Sequence, residues 1–169
     1  MSTFWKETVP EGYYDKAFIQ GLDSGRSIQA CWHKITFQNV KKHISKNSVI
    51  LDYACGSGNF FGTFEKLNDS VGVDISQKQI NYANKEHPDK ASFYTTEYFD
   101  PNSFEESFDV ISCLGLIEFI EMKEIEDLLS TFYKMLKPGG KVILTTPNSI
   151  FIFFTMETFS LDHVMVAII

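Results

Sequence analysis

Short apolar runs alternate with segments of helical periodicity along most of this chain. Five apolar runs predict strands, at 48–53, 70–74, 92–95, 108–114 and 141–146. Apolar residues spaced three or four positions apart predict helices at 15–19, 27–44, 59–67, 76–86 and 123–136. Ser76 and Gln79 predict a capping box at the start of the fourth of these helices. Strands that alternate with helices are typical of an α/β fold, in which a doubly wound, mostly parallel sheet lies between two helical layers.

A glycine-rich turn and an aspartate follow the first two predicted strands. Gly56 and Gly58 come shortly after the first strand, and Asp74 ends the second. Glycine lets a ligand approach bare backbone, and a carboxylate can accept hydrogen bonds from two ribose hydroxyls. This pair of features predicts a nucleoside site at the edge of the sheet where the strands end.

The spacing of the glycines separates this turn from two other nucleotide-binding turns. A dinucleotide fold has a third small residue where this chain has Phe61, which is too large for close packing of helix and strand. A Walker phosphate loop ends in Gly-Lys-Ser/Thr, but no Lys or Arg lies between Lys46 and Lys66. The turn therefore shows no provision for phosphate.

Four segments, in order, resemble the motifs of class I S-adenosylmethionine-dependent methyltransferases. They are Leu-Asp-Tyr-Ala-Cys-Gly-Ser-Gly-Asn-Phe at 51–60, Val-Gly-Val-Asp-Ile-Ser at 71–76, Phe-Asp-Val-Ile-Ser-Cys-Leu-Gly-Leu-Ile-Glu-Phe at 108–119, and Leu-Lys-Pro-Gly-Gly-Lys-Val-Ile-Leu-Thr-Thr-Pro-Asn at 136–148. The resemblance implies a Rossmann-like fold, S-adenosylmethionine as cofactor and S-adenosylhomocysteine as product. Ala54 stands where the family often has glycine. Phe119 stands where many relatives carry histidine, so no histidine role is assigned there.

The resemblance also implies where the cofactor binds. Asp52 is expected to place its amino end, with a carboxylate bonded to backbone amides of the turn as the structural alternative. Asp74 is expected to bind the ribose hydroxyls, with a plain helix N-terminal acid as the alternative, and Ile75 to lie against the adenine. The adenine edge is expected to meet an acid after the third strand, Glu97, and the backbone amide that follows it, that of Tyr98. The full predicted cofactor-binding set is Asp52, Ala54, Cys55, Gly56, Ser57, Gly58, Asp74, Ile75, Glu97, Tyr98, Cys113 and Leu114.

Residues around this site leave further alternatives open. Cys55 and Cys113 are expected to come close together, either flanking the cofactor or as inert buried thiols. Glu118 either faces the substrate or starts a helix. An N-terminal region that in relatives often covers the cofactor and shapes the substrate pocket contains Tyr13, Tyr14, Trp32 and His33. A lone histidine on a helical face is more often structural. No catalytic residue is assigned.

The length fits one domain made of three parts. Residues 1–46 are predicted to form a helical extension, 47–148 the cofactor-binding core, and 149–169 an apolar segment without an assigned role. Relatives usually add a helix and an antiparallel hairpin after the fifth strand, and the 21 residues after Asn148 are too few for both. The chain is therefore expected to be truncated or shortened, with its last strands missing and its fifth strand at a sheet edge.

Charge and cysteine content limit the class of partner. A net charge of −7 without a basic stripe argues against nucleic acid, because binding to phosphates relies on Lys and Arg. There is neither a secretory signal nor an apolar run of about 18 residues, so no membrane span is predicted. Three scattered cysteines lack metal-ligand spacing and fit a reduced, cytoplasmic compartment.

The expected function is methyl transfer to a small-molecule acceptor by in-line displacement at the sulfonium methyl. The motifs indicate the cofactor, but not the acceptor or the oligomeric state. A truncated fragment or binding protein that keeps the fold without turnover is the alternative. A nicotinamide oxidoreductase is disfavoured by Phe61.

Overall fold

Six parallel strands form one sheet in the part of the chain that the computed structural model describes, residues 3–146 and 165–168. The strands are β1 (Val49–Tyr53), β2 (Asn68–Asp74), β3 (Ser92–Thr95), β4 (Phe108–Leu114), β5 (Leu136–Thr145) and β6 (Met165–Ile168). Their order across the sheet is β3-β2-β1-β4-β5-β6. The order reverses between β1 and β4, which is where doubly wound sheets open a ligand-binding crevice.

Five α-helices accompany the strands within the described residues. They are α1 (Tyr13–Ser24), α2 (Ile28–Lys41), α3 (Asn59–Gly62), α4 (Gln77–Glu86) and α5 (Met122–Met135). No helix within residues 3–146 or 165–168 combines the length and apolarity needed to cross a membrane.

The sheet lies between two helical layers because alternate residues of each strand face opposite sides. On β1, Leu51 packs in a cluster with Phe132 of α5. Its neighbour Ile50 packs on the other side with Phe61 of α3 and Ile80 of α4. The predicted three-layer α/β/α architecture is therefore confirmed.

The first crossover helix is shorter than the predicted segment, which continues to residue 67. Instead, α3 is a single turn. Lys41 Nζ donates to the Thr63 carbonyl at 2.6 Å, and Lys90 Nζ donates to the Phe64 carbonyl at 2.6 Å. These ammonium groups satisfy carbonyls just beyond the helix, so the chain can leave helical geometry there and reach β2 through residues 63–67.

The predicted capping box at the start of α4 is wrong. Gln79 does not return to Ser76; its Oε1 accepts from Ser57 Oγ at 2.6 Å and its Nε2 donates to the Pro10 carbonyl at 2.7 Å. The Ser76 hydroxyl makes no capping bond. The Asp74 carboxylate accepts the Ser76 N–H at 2.8 Å instead, so the acid that ends β2 also caps the helix.

Gly21 does not interrupt α1, contrary to the prediction of a helix confined to 15–19. A Cβ at Gly21 would lie 2.4 Å from the Ala30 Cβ and 2.7 Å from the Ser27 Cβ. Glycine is therefore required where α1 packs directly on α2. The helix ends at Gly25, whose φ of 63° is the left-handed conformation usual after a helix.

Strand β6 lies beside β5, contrary to the expectation that the fifth strand forms a sheet edge. Lys141 pairs with Met165 and Leu144 pairs with Ile168, both in parallel register. The apolar run at 150–154, whose role the sequence leaves open, lies outside the described residues.

Side-chain contacts hold the N-terminal helices against α4. The Tyr82 hydroxyl donates to Asp15 Oδ2 at 3.1 Å, and His87 Nε2 lies 3.7 Å from the same oxygen. Lys78 Nζ donates to the Glu7 carbonyl at 2.6 Å. Asp15 is itself buried, and its one carboxylate contacts both Tyr82 and His87.

Replacing Asp15 with Ala is expected to lower the free energy of unfolding by about 1–3 kcal/mol, because the Tyr82 hydroxyl loses its buried acceptor. Urea denaturation near neutral pH measures the change. Asp23→Ala, at an exposed position of the same helix, is the matched control and should stay within about 0.5 kcal/mol of the parent. Equal effects of the two substitutions would contradict the assigned role of Asp15.

Candidate functional site

The turn after β1 adopts a backbone conformation that favours glycine. The φ angles of Ala54, Gly56 and Gly58 are 67°, 53° and 77°. The N–H groups of Ala54 and Cys55 donate to the Val73 carbonyl at 2.7 and 3.0 Å. The turn is therefore anchored to β2, and Ala54 holds a left-handed conformation that costs a non-glycine residue about 1–2 kcal/mol.

Asp74 joins this turn to the start of α4. Its Oδ2 accepts the N–H of Gly56 at 2.9 Å, and its Oδ1 accepts the N–H of Ser76 at 2.8 Å. Burial raises the pKa of Asp74, whereas these backbone N–H groups lower it. Each carboxylate oxygen has a second lone pair, so Asp74 can hold the turn and still accept a hydrogen bond from a ligand hydroxyl.

Asp52 lies buried at the end of β1 beside Ser112 of β4. Ser112 Oγ donates to Asp52 Oδ1 at 2.6 Å. Burial raises the pKa of Asp52 to about 7; the Ser112 bond lowers it, and the charge of Asp74 raises it. The turn amides of Ala54 and Cys55 bond to the Val73 carbonyl, so the alternative of an Asp52 carboxylate bonded to these amides is not formed.

Cys55 and Cys113 are buried in different clusters. Cys55 packs with Phe61 on the α3 and α4 side, whereas Cys113 packs with Phe132 on the α5 side. Burial raises the pKa of both thiols, and nearby carboxylates raise it further. Such protonated thiols are poor nucleophiles, which favours the interpretation of inert buried cysteines.

Glu97 and Tyr98 lie in an exposed turn after β3, next to the end of β2. The Thr96 N–H donates to the Asp74 carbonyl at 3.0 Å, which holds the turn beside the end of β2. The Tyr98 side chain is 73% exposed, and its N–H donates to the Thr95 carbonyl at 3.0 Å. The amide that the sequence assigns to the adenine edge is thus already engaged within the turn.

The side chains of three other predicted residues differ in burial and in hydrogen bonding. Ser57 is fully buried, and its hydroxyl is engaged with Gln79. Ile75 and Leu114 are half-buried, directly after Asp74 and at the end of β4. The structure therefore brings the backbone of Ser57 to the site while its side chain ties the turn to α4.

Tyr14 of α1 lies against the glycine turn. A Cβ at Gly56 would be 2.9 Å from the Tyr14 ring. Burial, together with the charge of Asp74, raises the pKa of the Tyr14 hydroxyl. The sequence places Tyr14 in a covering segment, but its pattern carries no signal for this particular contact.

Comparison with known proteins gives the family of this chain. The methyltransferase domain family matches residues 50–140. Phosphoethanolamine N-methyltransferase 1 of Arabidopsis thaliana is 30% identical over 141 residues, which cover 78% of this chain and 27% of that protein. Ubiquinone biosynthesis O-methyltransferase of Rhizobium etli is 26% identical over 122 residues, 69% of this chain and 48% of that protein. The chain thus spans less than half the length of either relative.

A solved structure supports the fold independently. The crystal structure of a TehB-like SAM-dependent methyltransferase from Corynebacterium glutamicum superposes with a TM-score of 0.59 at 21% identity, covering 78% of this chain and 69% of that one. The Rossmann-like methyltransferase fold implied by the motifs is therefore confirmed.

Ala54→Gly is expected to raise the free energy of unfolding by about 1 kcal/mol, because glycine adopts the positive φ of this position without strain. Ala17→Gly in α1 is the matched control and should lower it by about 1 kcal/mol, since glycine is unfavourable inside a helix. Urea denaturation of both variants tests the pair. If both substitutions destabilise equally, Ala54 is not strained.

Because the pKa of Asp52 is raised, its contribution to the free energy of unfolding should fall as pH rises, which is the reverse of the usual case for an aspartate. Its folded-state pKa of about 7 exceeds the ordinary value of 3.8, so the folded chain binds the proton more tightly than the unfolded chain. Relative to Asp52→Asn, the parent should lose on the order of 4 kcal/mol as pH rises from about 4 to about 8. Urea denaturation of both proteins across this range measures the difference.

Asp100→Asn is the control of opposite sign. Hydrogen bonds from Ser103 and Asn102 lower the pKa of Asp100, so its small contribution should be present at neutral pH and disappear in acid. A difference between parent and Asp52→Asn that does not vary with pH would exclude a raised pKa at Asp52.

Proposed function

The chain belongs to the methyltransferase domain family, and we propose that it transfers a methyl group from S-adenosylmethionine to a small-molecule acceptor. The observation that carries the proposal is the Asp74 carboxylate, which accepts the Gly56 N–H at 2.9 Å. This hydrogen bond joins the glycine turn after β1 to the end of β2. The turn lies beside the point where the strand order reverses. In this fold, that crevice is where a nucleoside ligand binds.

The charge of the site suits this cofactor. Asp52 and Asp74 lie close enough for the charge of one to raise the pKa of the other, and neither forms an ion pair within the described residues. S-adenosylmethionine carries a positive sulfonium and an ammonium group, whereas the nicotinamide and Walker ligands carry phosphates. The buried carboxylate of Asp52 and the half-buried carboxylate of Asp74 favour the cation and oppose the phosphates.

Each predicted residue takes a proposed role in holding the cofactor. Asp52 would bind the amino end and Asp74 the ribose hydroxyls, with Ile75 against the adenine. The turn backbone would follow the methionine part. The residues proposed to complete the site are Ala54, Cys55, Gly56, Ser57, Gly58, Glu97, Tyr98, Cys113 and Leu114.

The chemistry requires little from the protein beyond orientation. S-adenosylmethionine supplies a methyl group that its positive sulfur has already activated. The residues of the site would align the acceptor with that methyl group and exclude water, effects that can contribute several kcal/mol. A general base is needed only for an acceptor that must lose a proton, so the motifs do not name one.

The proposed acceptor is a small molecule. The two relatives described above are named for N-methylation of phosphoethanolamine and for O-methylation in ubiquinone biosynthesis. They share the core matched here and differ in the acceptor atom. The buried thiols of Cys55 and Cys113 fit a reducing compartment, and we propose the cytoplasm as the location.

A second candidate is cofactor binding without turnover. The chain covers only 27% and 48% of the two relatives, so more than half of each relative has no counterpart in the matched region. This candidate predicts the same cofactor affinity as the first, and the two differ only in methyl transfer.

Calorimetric titration with S-adenosylhomocysteine tests the cofactor site. We expect micromolar binding by the parent and at least about tenfold weaker binding by Asp74→Asn, because the ribose loses a charged acceptor. Asp89→Ala, an exposed acid after α4, is the matched control and should bind like the parent. Absence of binding by a folded parent would overturn the proposal. Binding without methyl transfer to a panel of amines and alcohols would select the non-catalytic candidate.

A further inference from the structure

We propose that Glu118 and Trp32 bind an amine acceptor, which enters in its ammonium form, at the end of β4. One N–H proton passes to the Glu118 carboxylate before the nitrogen attacks the methyl group. The inference rests on the proposed function, since it names the acceptor class for the same site. Glu118 lies in the single 3-10 turn Ile117–Phe119, and Trp32 lies on α2. They come from different parts of the chain and approach the same point.

That point is Gly115, the first residue after β4. A Cβ placed there would lie 3.6 Å from Glu118 Oε1 and 3.7 Å from the Trp32 ring. Gly115 has a φ of 71°, and its N–H donates to the Thr145 carbonyl at 3.3 Å, so the backbone there is fixed. An acid and an indole ring thus converge on bare backbone at the same edge of the sheet as Asp52.

Glu118 lacks a counter-charge within the described residues. Its Oε2 is buried and has no hydrogen-bond partner, and none of the ion pairs within residues 3–146 includes it. Burial raises the pKa of this carboxyl group. A buried acceptor without a partner is costly, and a ligand that donates hydrogen bonds and carries positive charge would remove that cost.

The position of Glu118 points to the acceptor rather than to the adenosine end. Besides burial, the charges of Asp52 and Glu118 both raise the pKa of the Cys113 thiol. Glu118 and Asp52 are therefore both near enough to the Cys113 thiol to act on its charge. Asp52 is the residue assigned to the amino end of the cofactor. The adenine side, at Glu97 and Tyr98, lies beyond β2 on the opposite side of β1 from β4.

The aromatic surroundings also suit a cation. Trp32 is 38% exposed and Phe119 is 54% exposed, although both are large apolar side chains. The Trp5 ring lies 5.2 Å from the ring of Phe119, the residue that follows Glu118 in sequence. The faces of aromatic rings attract ammonium groups, and this attraction grows where water is partly excluded.

A neutral acceptor would leave this arrangement unsatisfied. A hydroxyl could donate one hydrogen bond to Glu118, but the carboxylate charge would remain without compensation. An ammonium group has several N–H donors and a full positive charge, so it can pair with the carboxylate and contact the Trp32 ring together. The site is therefore expected to discriminate by charge.

The test uses propylammonium as the probe and 1-propanol as its neutral counterpart. The sequence has two tryptophans, so the indole N–H signal of Trp32 can be assigned in NMR spectra with a Trp5→Phe variant. Both probes are titrated with and without saturating S-adenosylhomocysteine. We expect propylammonium to shift the Trp32 signal at concentrations at least about tenfold lower than 1-propanol.

Variants separate Glu118 from general electrostatic attraction. Glu118→Gln should weaken propylammonium binding by at least about tenfold and leave 1-propanol unchanged. Glu118→Asp keeps the charge and should retain most of the binding. Glu126→Gln, at an exposed position of α5, removes the same charge elsewhere and should bind like the parent.

The outcomes distinguish this inference from the proposed function. Equal binding of the two probes to the parent, or unchanged propylammonium binding by Glu118→Gln, overturns the acceptor assignment even where S-adenosylhomocysteine binds normally. Loss of S-adenosylhomocysteine binding in the parent overturns the proposed function instead. If Glu118→Gln does not fold, the comparison of the two probes on the parent decides the inference alone.

Discussion

The two hydrogen bonds of the Asp74 carboxylate are the constraint on which the site depends. One oxygen accepts the Gly56 N–H and the other accepts the Ser76 N–H. A single side chain thus fixes the glycine turn after β1 and the start of α4. Because Asp74 ends β2, which pairs with β1 in parallel register, the turn cannot shift without disturbing the sheet. The geometry of the proposed cofactor site is therefore set by strand pairing.

The same edge of the sheet concentrates negative charge in a region of low polarity. Asp52, Asp74 and Glu118 all have a raised pKa for which burial is the main cause. The hydrogen bond from Ser112 offsets the effect of burial on the pKa of Asp52 only in part. Backbone N–H groups lower the pKa of Asp74 in the same way. Buried carboxylates are stabilised by a bound cation, so the site favours positively charged ligands before any detail of their shape is considered. The methyl donor loses its sulfonium charge on transfer, so the product has weaker electrostatic attraction to these acids.

Much of this fold is predictable from local pattern because short apolar runs lie within β1, β2, β4 and β5. β3 and β4 have the predicted bounds. The failures occur where a distant side chain decides the local structure. Lys41 and Lys90 bind carbonyls just beyond α3, and Gln79 bonds to Ser57 and Pro10 instead of closing a capping box. The same limit applies to the site, where the motifs place Asp52 and Asp74 but not their partners.

The N-terminal helices explain why the motifs indicate a cofactor and not an acceptor. The family match begins at residue 50, after α1 and α2, yet these helices bring Tyr14 to Gly56 and Trp32 to Gly115. The matched core supplies the acids and the bare backbone, and the extension supplies the aromatic rings that face them. Asp15 is one of several contacts that hold this extension on the core, together with the bonds from Lys78 to Glu7 and from Gln79 to Pro10. With Trp32 proposed to contact the acceptor, substitutions on α2 would change acceptor choice while the core proposed to hold the cofactor stays the same.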